Sequence, residues 1–253
     1  MKRFVQRLAS ASGNTIAYEQ FSGAKRPGIV FIPGFKSIMY GKKGEALRDY
    51  CVRNDRQYTR FDYSGVGISD GKFVDGCLSV WLKDTLSIVD SVTDGKQILV
   101  GSSMGGHLAS LVCLRRPHRL HALLGIATAA DSVCEMKKTL SEKQRNAIER
   151  DGYLQMESHY SDDPYVYTKL FFDDAMKEEN RLTLTESLDI SCPVTLIHGK
   201  LDYDVKWQRT QILAQKLKKC TDMKVVYVPD GDHRLSRKQD LELIFSLLDE
   251  LVN

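Results

Sequence analysis

No stretch of about 18 or more consecutive apolar residues occurs in the 253-residue sequence, so no transmembrane helix and no integral membrane segment are expected. There is no C-x-x-C pair either: the six cysteines stand apart, at 51, 77, 113, 134, 192 and 220. That spacing excludes a disulfide framework or cysteine-based metal centre as the organising device. It leaves free buried thiols, such as Cys113 within Leu111-Val112-Cys113-Leu114, in a reducing compartment. No grouping of His, Cys, Asp and Glu has metal-ligand spacing, so neither metal nor other cofactor is expected. Net charge is small: 36 basic against 33 acidic residues leave +3, too little to argue for nucleic acid or a membrane surface as partner. The loop Gly65-Val66-Gly67 lacks the third glycine and the Lys-Ser/Thr of a phosphate cradle; it reads as a tight strand-to-helix connection beneath the site described below. No internal repeat or low-complexity segment is visible.

The N-terminus, Met1 to Ser10, is basic and free of acidic residues, but no apolar stretch follows it, which excludes a secretory signal. It reads as a first strand, with a short organelle-targeting remnant as the other reading. Apolar residues at 42% and charged residues at 27% are ordinary for a globular protein, and a chain of this length suits one large α/β domain.

What is present is organised around one stretch. Ile98-Leu99-Val100 runs straight into Gly101-Ser102-Ser103-Met104-Gly105, and a helical segment beginning at His107-Leu108-Ala109 follows. Buried strand, Gly-x-Ser-x-Gly turn and helix are the parts of a nucleophile elbow, which lifts the central Ser103 hydroxyl above the sheet edge. The two glycines flank it because a Cβ at either would crowd the strand-to-helix approach. A five-residue pattern arises by chance; the strand before it and the helix after it carry the reading.

Around the elbow, strands are expected at 16–21, 28–32, 58–62, 120–127, 194–197 and 224–228, with Lys25-Arg26-Pro27 as a turn. Helices are expected near 45–51, 81–92, 207–219 and 238–252. Repeated alternation predicts a mostly parallel sheet covered on both faces. The stretch 132–190 breaks that rhythm. It is charged, helix-prone and rich in rings: Tyr153, Tyr160, Tyr165, Tyr167, Phe171 and Phe172. It reads as a helical lid inserted between a first core part, 1–131, and a second, 191–253. Tyr153, Tyr160, Phe171 and Phe172 are the expected lining for an apolar substrate group.

A nucleophilic serine needs a base, and the base an orienting acid. His233, in Pro229-Asp230-Gly231-Asp232-His233 just after the last expected strand, occupies the base's place. Asp202 and Asp204 both lie where the acid belongs; Asp202 is preferred for its loop spacing, and Asp232 is too close in sequence to face His233. His107 reads as packing on its helix or touching substrate, His118 as surface, His198 as fixing the acid's loop, and His159 as part of the lid. The oxyanion needs two converging N–H donors, expected from Met104 and from Phe35 in the turn Pro33-Gly34-Phe35.

Phe31 to Phe35, Arg60 to Gly67, Ile98 to Gly106, Ala127 to Asp131, His198-Gly199 with Asp202, and Asp232-His233-Arg234 carry a resemblance. On these segments the chain resembles the α/β-hydrolase superfamily over nearly its whole length. Within it the chain resembles the mitochondrial thioesterases that remove palmitoyl groups from proteins and open acyl glucuronides. The resemblance implies an α/β-hydrolase fold, a Ser103–His233–Asp202 triad, S-acylated proteins or small acyl esters as substrates, and a mitochondrial location, the alternative being cytoplasmic. A serine peptidase of the prolyl-oligopeptidase type and a non-catalytic binding protein on the same fold are the competing readings. No triad member is missing, which disfavours the latter.

Overall fold

The computed structural model describes residues 4–157 and 163–252. Ten strands and eight α-helices follow one another along these residues. The first strands are β1 (Gln6–Ala9), β2 (Thr15–Phe21), β3 (Lys25–Ile32) and β4 (Arg56–Phe61). They are followed by β5 (Gln97–Ser102), β6 (Leu120–Ile126), β7 (Tyr153–Met156) and β8 (Tyr165–Thr168), then β9 (Val194–Gly199) and β10 (Met223–Val228). Eight form one sheet in the order β1-β2-β4-β3-β5-β6-β9-β10. The six strands from β4 to β10 in that order run parallel; β2 joins β4 antiparallel and β1 joins β2 antiparallel. The basic N-terminal stretch thus supplies an edge strand.

The central strands read as continuous apolar runs because both faces are covered. Ile29, Phe31, Ile98 and Val100 pack toward α1 (Lys42–Arg53) and α8 (Lys238–Leu251). Their neighbours Val30, Ile32 and Leu99 pack toward α2 (Leu78–Ser91), α3 (Met104–Arg115) and α7 (Gln208–Lys216). The chain leaves β3 in one direction across the sheet and β5 in the other. The C-terminal ends of these adjacent strands therefore flank a crevice, the place where open α/β sheets bind ligands. Phe35 follows the first and Ser103 the second.

One expected turn is absent. Lys25-Arg26-Pro27 opens β3, with Lys25 pairing Arg56 and an irregularity in register before Ile29. Pro27 has no N–H to give a ladder, and the register shift accommodates it at the strand's start.

The stretch 132–190 is less helical than expected. It contains α4 (Ser132–Thr139), α5 (Glu142–Asp151) and α6 (Lys169–Ala175), but between α5 and α6 lies the antiparallel pair β7–β8. Helix α5 begins on a Ser141/Gln144 capping box and stops at Gly152, whose φ of +80° suits only a residue without Cβ. Beyond it, Tyr165-Val166-Tyr167-Thr168 has the β-branched and aromatic make-up of a strand, which outweighs the surrounding helix-favouring charges. Leu140, Ile148, Leu154 and Phe172 form a small core belonging to this segment alone. Its two ends are pinned to each other. The Asp131 carboxylate accepts the N–H groups of Leu182 and Thr183 at 3.0 and 2.9 Å and the Thr183 hydroxyl at 2.6 Å. Asp174 accepts the N–H and hydroxyl of Ser79 on α2 at 2.8 and 2.7 Å.

Candidate active site

Strand β5 is buried along its length and ends at Ser102; α3 begins at Met104. Ser103 turns the chain between them at φ +55°, ψ −118°, a conformation costing a residue with a Cβ about 1–3 kcal/mol. It is held there because its N–H donates to the Ile126 carbonyl at 2.8 Å while its own carbonyl accepts from Ala129 at 3.1 Å. The flanking glycines answer a packing demand. A Cβ on Gly105 would lie 2.0 Å from the Ile32 carbonyl oxygen, and one on Gly101 would lie 2.4 Å from that of Gly105. Helix α3 can therefore press against the ends of β3 and β5.

The Ser103 hydroxyl lies 3.0 Å from His233 Nε2, and His233 Nδ1 lies 2.6 Å from Asp202 Oδ2. An ionised carboxylate only accepts, so Nδ1 carries the proton and Nε2 is free to accept from the serine. The other Asp202 oxygen accepts the N–H groups of Asp204 and Val205 at 2.9 and 2.8 Å. Between Asp202 and Asp204, it is Asp202 that faces the imidazole; Asp204 contributes a backbone donor. Asp232 accepts from Leu235 N–H at 2.9 Å.

His198 does what its place at the end of β9 suggested. Buried, it puts Nε2 2.8 Å from Asp202 Oδ2 and 3.0 Å from the Val205 carbonyl, and Nδ1 2.7 Å from the Thr210 hydroxyl. Nε2–H therefore donates to the acid's loop, and Nδ1 meets the Thr210 hydroxyl. Burial pushes the Asp202 carboxyl up. Hydrogen bonds from His198 and His233, attraction to His233 and the Val205 N–H outweigh it and hold the group at about 2.

His107, one helical turn past Ser103, borders the same cavity, but both ring nitrogens are engaged. Nδ1 accepts the Asp131 N–H at 3.2 Å and Nε2–H donates to the Asn180 carbonyl at 2.9 Å. Burial lowers its pKa, with Asp131 opposing. It is a packing residue that joins the elbow helix to both ends of the 132–190 segment. His118 is exposed, and His159 lies outside the described residues.

The turn after β3 lies directly over the elbow: a Cβ on Gly34 would come within 3.4 Å of Ser103 Cβ. Buried polar groups fix the turn from below. Tyr63 donates its hydroxyl to the Pro33 carbonyl at 2.8 Å, and Asp62 accepts the Met39 N–H at 2.6 Å. Neither the Phe35 nor the Met104 N–H donates to a protein acceptor among the described residues. Both residues border the cavity that holds Ser103 and His233.

That cavity has a volume of about 280 Å³. Its apolar wall includes Leu78, Met136, Met156, Tyr165, Tyr167 and Phe171; its charged lining includes Lys43, Arg234, Glu157 and Asp204. Lys43 donates to the Arg234 carbonyl, next to His233, and to Ser236 Oγ at 3.3 Å. Burial pulls its pKa down to about 8 against the attraction of Asp232.

Of the four rings expected to line the site, Phe171 does so. Phe172 does not: it is fully buried in the segment's own core against Leu140, Ile148 and Leu154. Consecutive helical residues point about 100° apart, and here that turn carries Phe172 into the segment's own core. Tyr153 is 43% exposed on the outside of the hairpin, and Tyr160 lies outside the described residues. Tyr165 and Tyr167 take their places. Two apart on a strand, they share a face, a signal legible only once 165–168 is read as a strand. Met136, Met156 and Lys43 carried no local signal.

The Hydrolase_4 family, described as serine aminopeptidase S33, matches residues 24–240. The mitochondrial palmitoyl-protein thioesterase ABHD10 of Mus musculus is 37% identical over 94% of this chain and 79% of its own; that of Homo sapiens is 38% identical over 94% and 76%. Among solved structures, the mouse alpha/beta hydrolase domain-containing protein 10 superposes with a TM-score of 0.90 at 36% identity, covering 98% of both chains. A putative hydrolase from Agrobacterium vitis S4 gives 0.93 at 30% identity, covering all of both. A sheet with its switch point at β3 and β5, a strained serine at that crevice and these matches along almost the whole chain agree on one placement: the chain belongs to the Hydrolase_4 family of α/β-hydrolases.

Proposed function

We propose that the protein is a serine hydrolase of acyl thioesters and esters. The observation that carries this reading is the unbroken series Ser103 Oγ, His233, Asp202, with contacts of 3.0 and 2.6 Å, opening into a cavity walled on one side by rings and methionines. His233 Nε2 takes the Ser103 proton as Oγ attacks the acyl carbon. The Phe35 and Met104 N–H groups, otherwise unused, receive the oxygen as it becomes negative, at the positive end of α3. The imidazolium returns the proton to the departing thiol or alcohol, and a water repeats the sequence to release the acid. Asp202, kept ionised by its four donors, stabilises the imidazolium and fixes its tautomer.

In this reading, 132–190 is a lid between core parts 1–131 and 191–253, and its rings and methionines hold the acyl group. The ABHD10 relatives are named as palmitoyl-protein thioesterases of mitochondria. We extend that to this chain as S-depalmitoylation of proteins in the mitochondrion, with acyl-glucuronide opening as a second ester reaction. The family's aminopeptidase description makes amide cleavage the competing reading, with Glu157 and Asp204 as carboxylates on the cavity that could meet a substrate amine. A thiolate leaves unaided whereas an amine needs a well-placed proton, so the two are separable by substrate. Purified protein should react with a fluorophosphonate and hydrolyse an octanoyl thioester far faster than an aminoacyl anilide, and labelling and thioester hydrolysis should both vanish in Ser103→Ala. Labelling that survives Ser103→Ala, or anilide cleavage that outruns the thioester, would overturn the proposal.

A further inference from the structure

The residue offering an oxyanion N–H has its side chain at the centre of a ring cluster. The Phe35 ring meets Phe73 at 5.2 Å and Trp81 at 5.9 Å between centroids, both edge-on and both from the core. From 132–190 it meets Phe171 at 5.1 Å, Tyr165 at 6.0 Å and Tyr167 at 5.0 Å. The Tyr167 contact is the flat one: the two planes differ by 6°. Tyr167 in turn touches Phe171 and Phe172, so it joins the segment's own core to Phe35. A second tie runs the same way: Lys36, next in sequence, donates from Nζ to the Pro164 carbonyl at 3.1 Å.

We infer that Tyr167 is a positioning residue for the oxyanion hole: by stacking on Phe35 it sets the direction of the Phe35 N–H. This rests on the reading of Ser103 as nucleophile. The backbone argument is direct. The turn is anchored before Phe35 by Tyr63 on the Pro33 carbonyl, and after it by the Ser37 N–H on the Gly34 carbonyl and by Asp62 on the Met39 N–H. The Phe35 N–H has no protein partner among the described residues; the Ser37 N–H holds the Gly34 carbonyl, which shares a peptide plane with that N–H, from one side, and the wedged ring holds the same plane from the other. Phe73 and Trp81 meet the Phe35 ring edge-on and Phe171 and Tyr165 meet it tilted; Tyr167, backed by Phe171 and Phe172, covers the face. Because Tyr167 borders the cavity, an acyl group seated there presses on the ring that aims the donor. Acyl recognition and oxyanion stabilisation then share one side chain.

The test uses p-nitrophenyl acetate, whose acyl group is too short to fill the cavity, with wild type, Tyr167→Ala, Tyr167→Leu and Tyr167→Phe. A misaimed oxyanion donor should lower kcat on the acetyl ester roughly 10- to 100-fold in the Ala variant, within reach of the loss seen when such a donor is removed. KM should stay within about twofold, since ground-state binding does not use the donor. Tyr167→Phe, which keeps the ring face, should restore kcat. Tyr167→Leu, which keeps bulk but not the flat face, should behave like Ala and covers the case in which Ala fails to fold. Unchanged acetyl kcat in Leu or Ala, with KM rising only for longer esters, would make Tyr167 a plain acyl contact and overturn the inference. Wild-type turnover that does not depend on Ser103 would instead sink the underlying reading.

Discussion

The elbow with its triad and the 132–190 segment hold their working side chains by different forces. In the elbow every group is fixed by short directional bonds. Ser103 is held through Ile126 and Ala129, and His233 through Asp202. Asp202 itself is held by two imidazoles and two backbone amides. In the segment, the directional bonds of Asp131, Asp174 and the Pro164 carbonyl tie it to the rest of the chain, while much of its wall over the cavity is rings and methionines in van der Waals contact. A hydrogen-bonded acid–base pair has one geometry that works, whereas an aromatic and methionine wall repacks at little cost. The contrast separates the two properties of such an enzyme. On the proposed function the core fixes the reaction and the wall sets the acyl preference, with Tyr167 the side chain that would serve both.

The largest effect should come from the core. His233→Ala should lower turnover by about four to six orders of magnitude, because the members of a triad act as a unit. The loss should be the same for acetyl and octanoyl thioesters, measured as kcat. A loss that depended on chain length would erase the division of labour. Next is Gly105→Ala. The added methyl would sit 2.0 Å from the Ile32 carbonyl and 2.5 Å from that of Pro33, both rigid backbone. The variant should lose about 4 kcal/mol or more in urea unfolding, against about 1–2 kcal/mol for Gly95→Ala, where nothing lies within 4 Å and the cost is the φ of +65° alone.

This division also explains what could be read from the sequence. The elbow is local: five residues in a row state the turn, and the order serine, acid, histidine is what the resemblance to α/β-hydrolases implies. The acid was ambiguous because Asp202 and Asp204 share a loop; only the fold shows that one offers its carboxylate and the other its amide. His198 was legible as a strand-end residue, not as a second donor to Asp202. The segment was not legible in the same way. Whether Phe171 or Phe172 faces the cavity depends on the rotation of α6, and that is set by the hairpin before it. The hairpin was hidden because its strands are four residues each, too short for a period to show among charged neighbours. The stacking of Phe35 on Tyr167 joins residues from opposite ends of the fold and has no local trace.

Phe172→Ala tests whether the segment's small core is separate. A fully buried ring of this kind contributes about 3 kcal/mol or more. Here the loss should appear as faster proteolysis and amide exchange within 132–190, with α3 and β5 as protected as before. Uniform loss of protection across the chain would show that segment and core unfold as one.

A smaller effect concerns the acid. Asp202 lies at about 2 in the folded chain and near 3.9 when unfolded, so between those values the unfolded state binds more protons and stability rises with pH. The contribution is complete above about pH 4 and is lost as pH falls toward 2; it is on the order of 2 kcal/mol. The stability gap between wild type and Asp202→Asn in urea should therefore be wide at pH 6 and narrow at pH 3. A gap that does not change would mean that His198 and His233 do not favour the ionised form.

The finest test lies within the segment, between a residue that only touches substrate and one that also aims a donor. Met156 and Tyr165 pair across the hairpin and both border the cavity, but Met156 has no part in the ring cluster on Phe35. Each methylene an acyl chain buries is worth about 0.8 kcal/mol, close to fourfold in binding. Specificity constants on thioesters should climb from acetyl upward until the 280 Å³ cavity is full, then level off. Met156→Ala removes wall without moving Phe35. It should flatten that climb while leaving kcat on the acetyl thioester within about twofold, because a short acyl group does not reach the missing side chain. Tyr167→Ala should do the reverse at the short end, lowering acetyl kcat first. If both variants produced the same profile across chain lengths, the wall and the stack would be one device, and acyl preference could not drift independently of the chemistry. If Met156→Ala left the climb intact, the acyl group would lie along another wall, and the hairpin's contribution would be confined to the ring that faces Phe35.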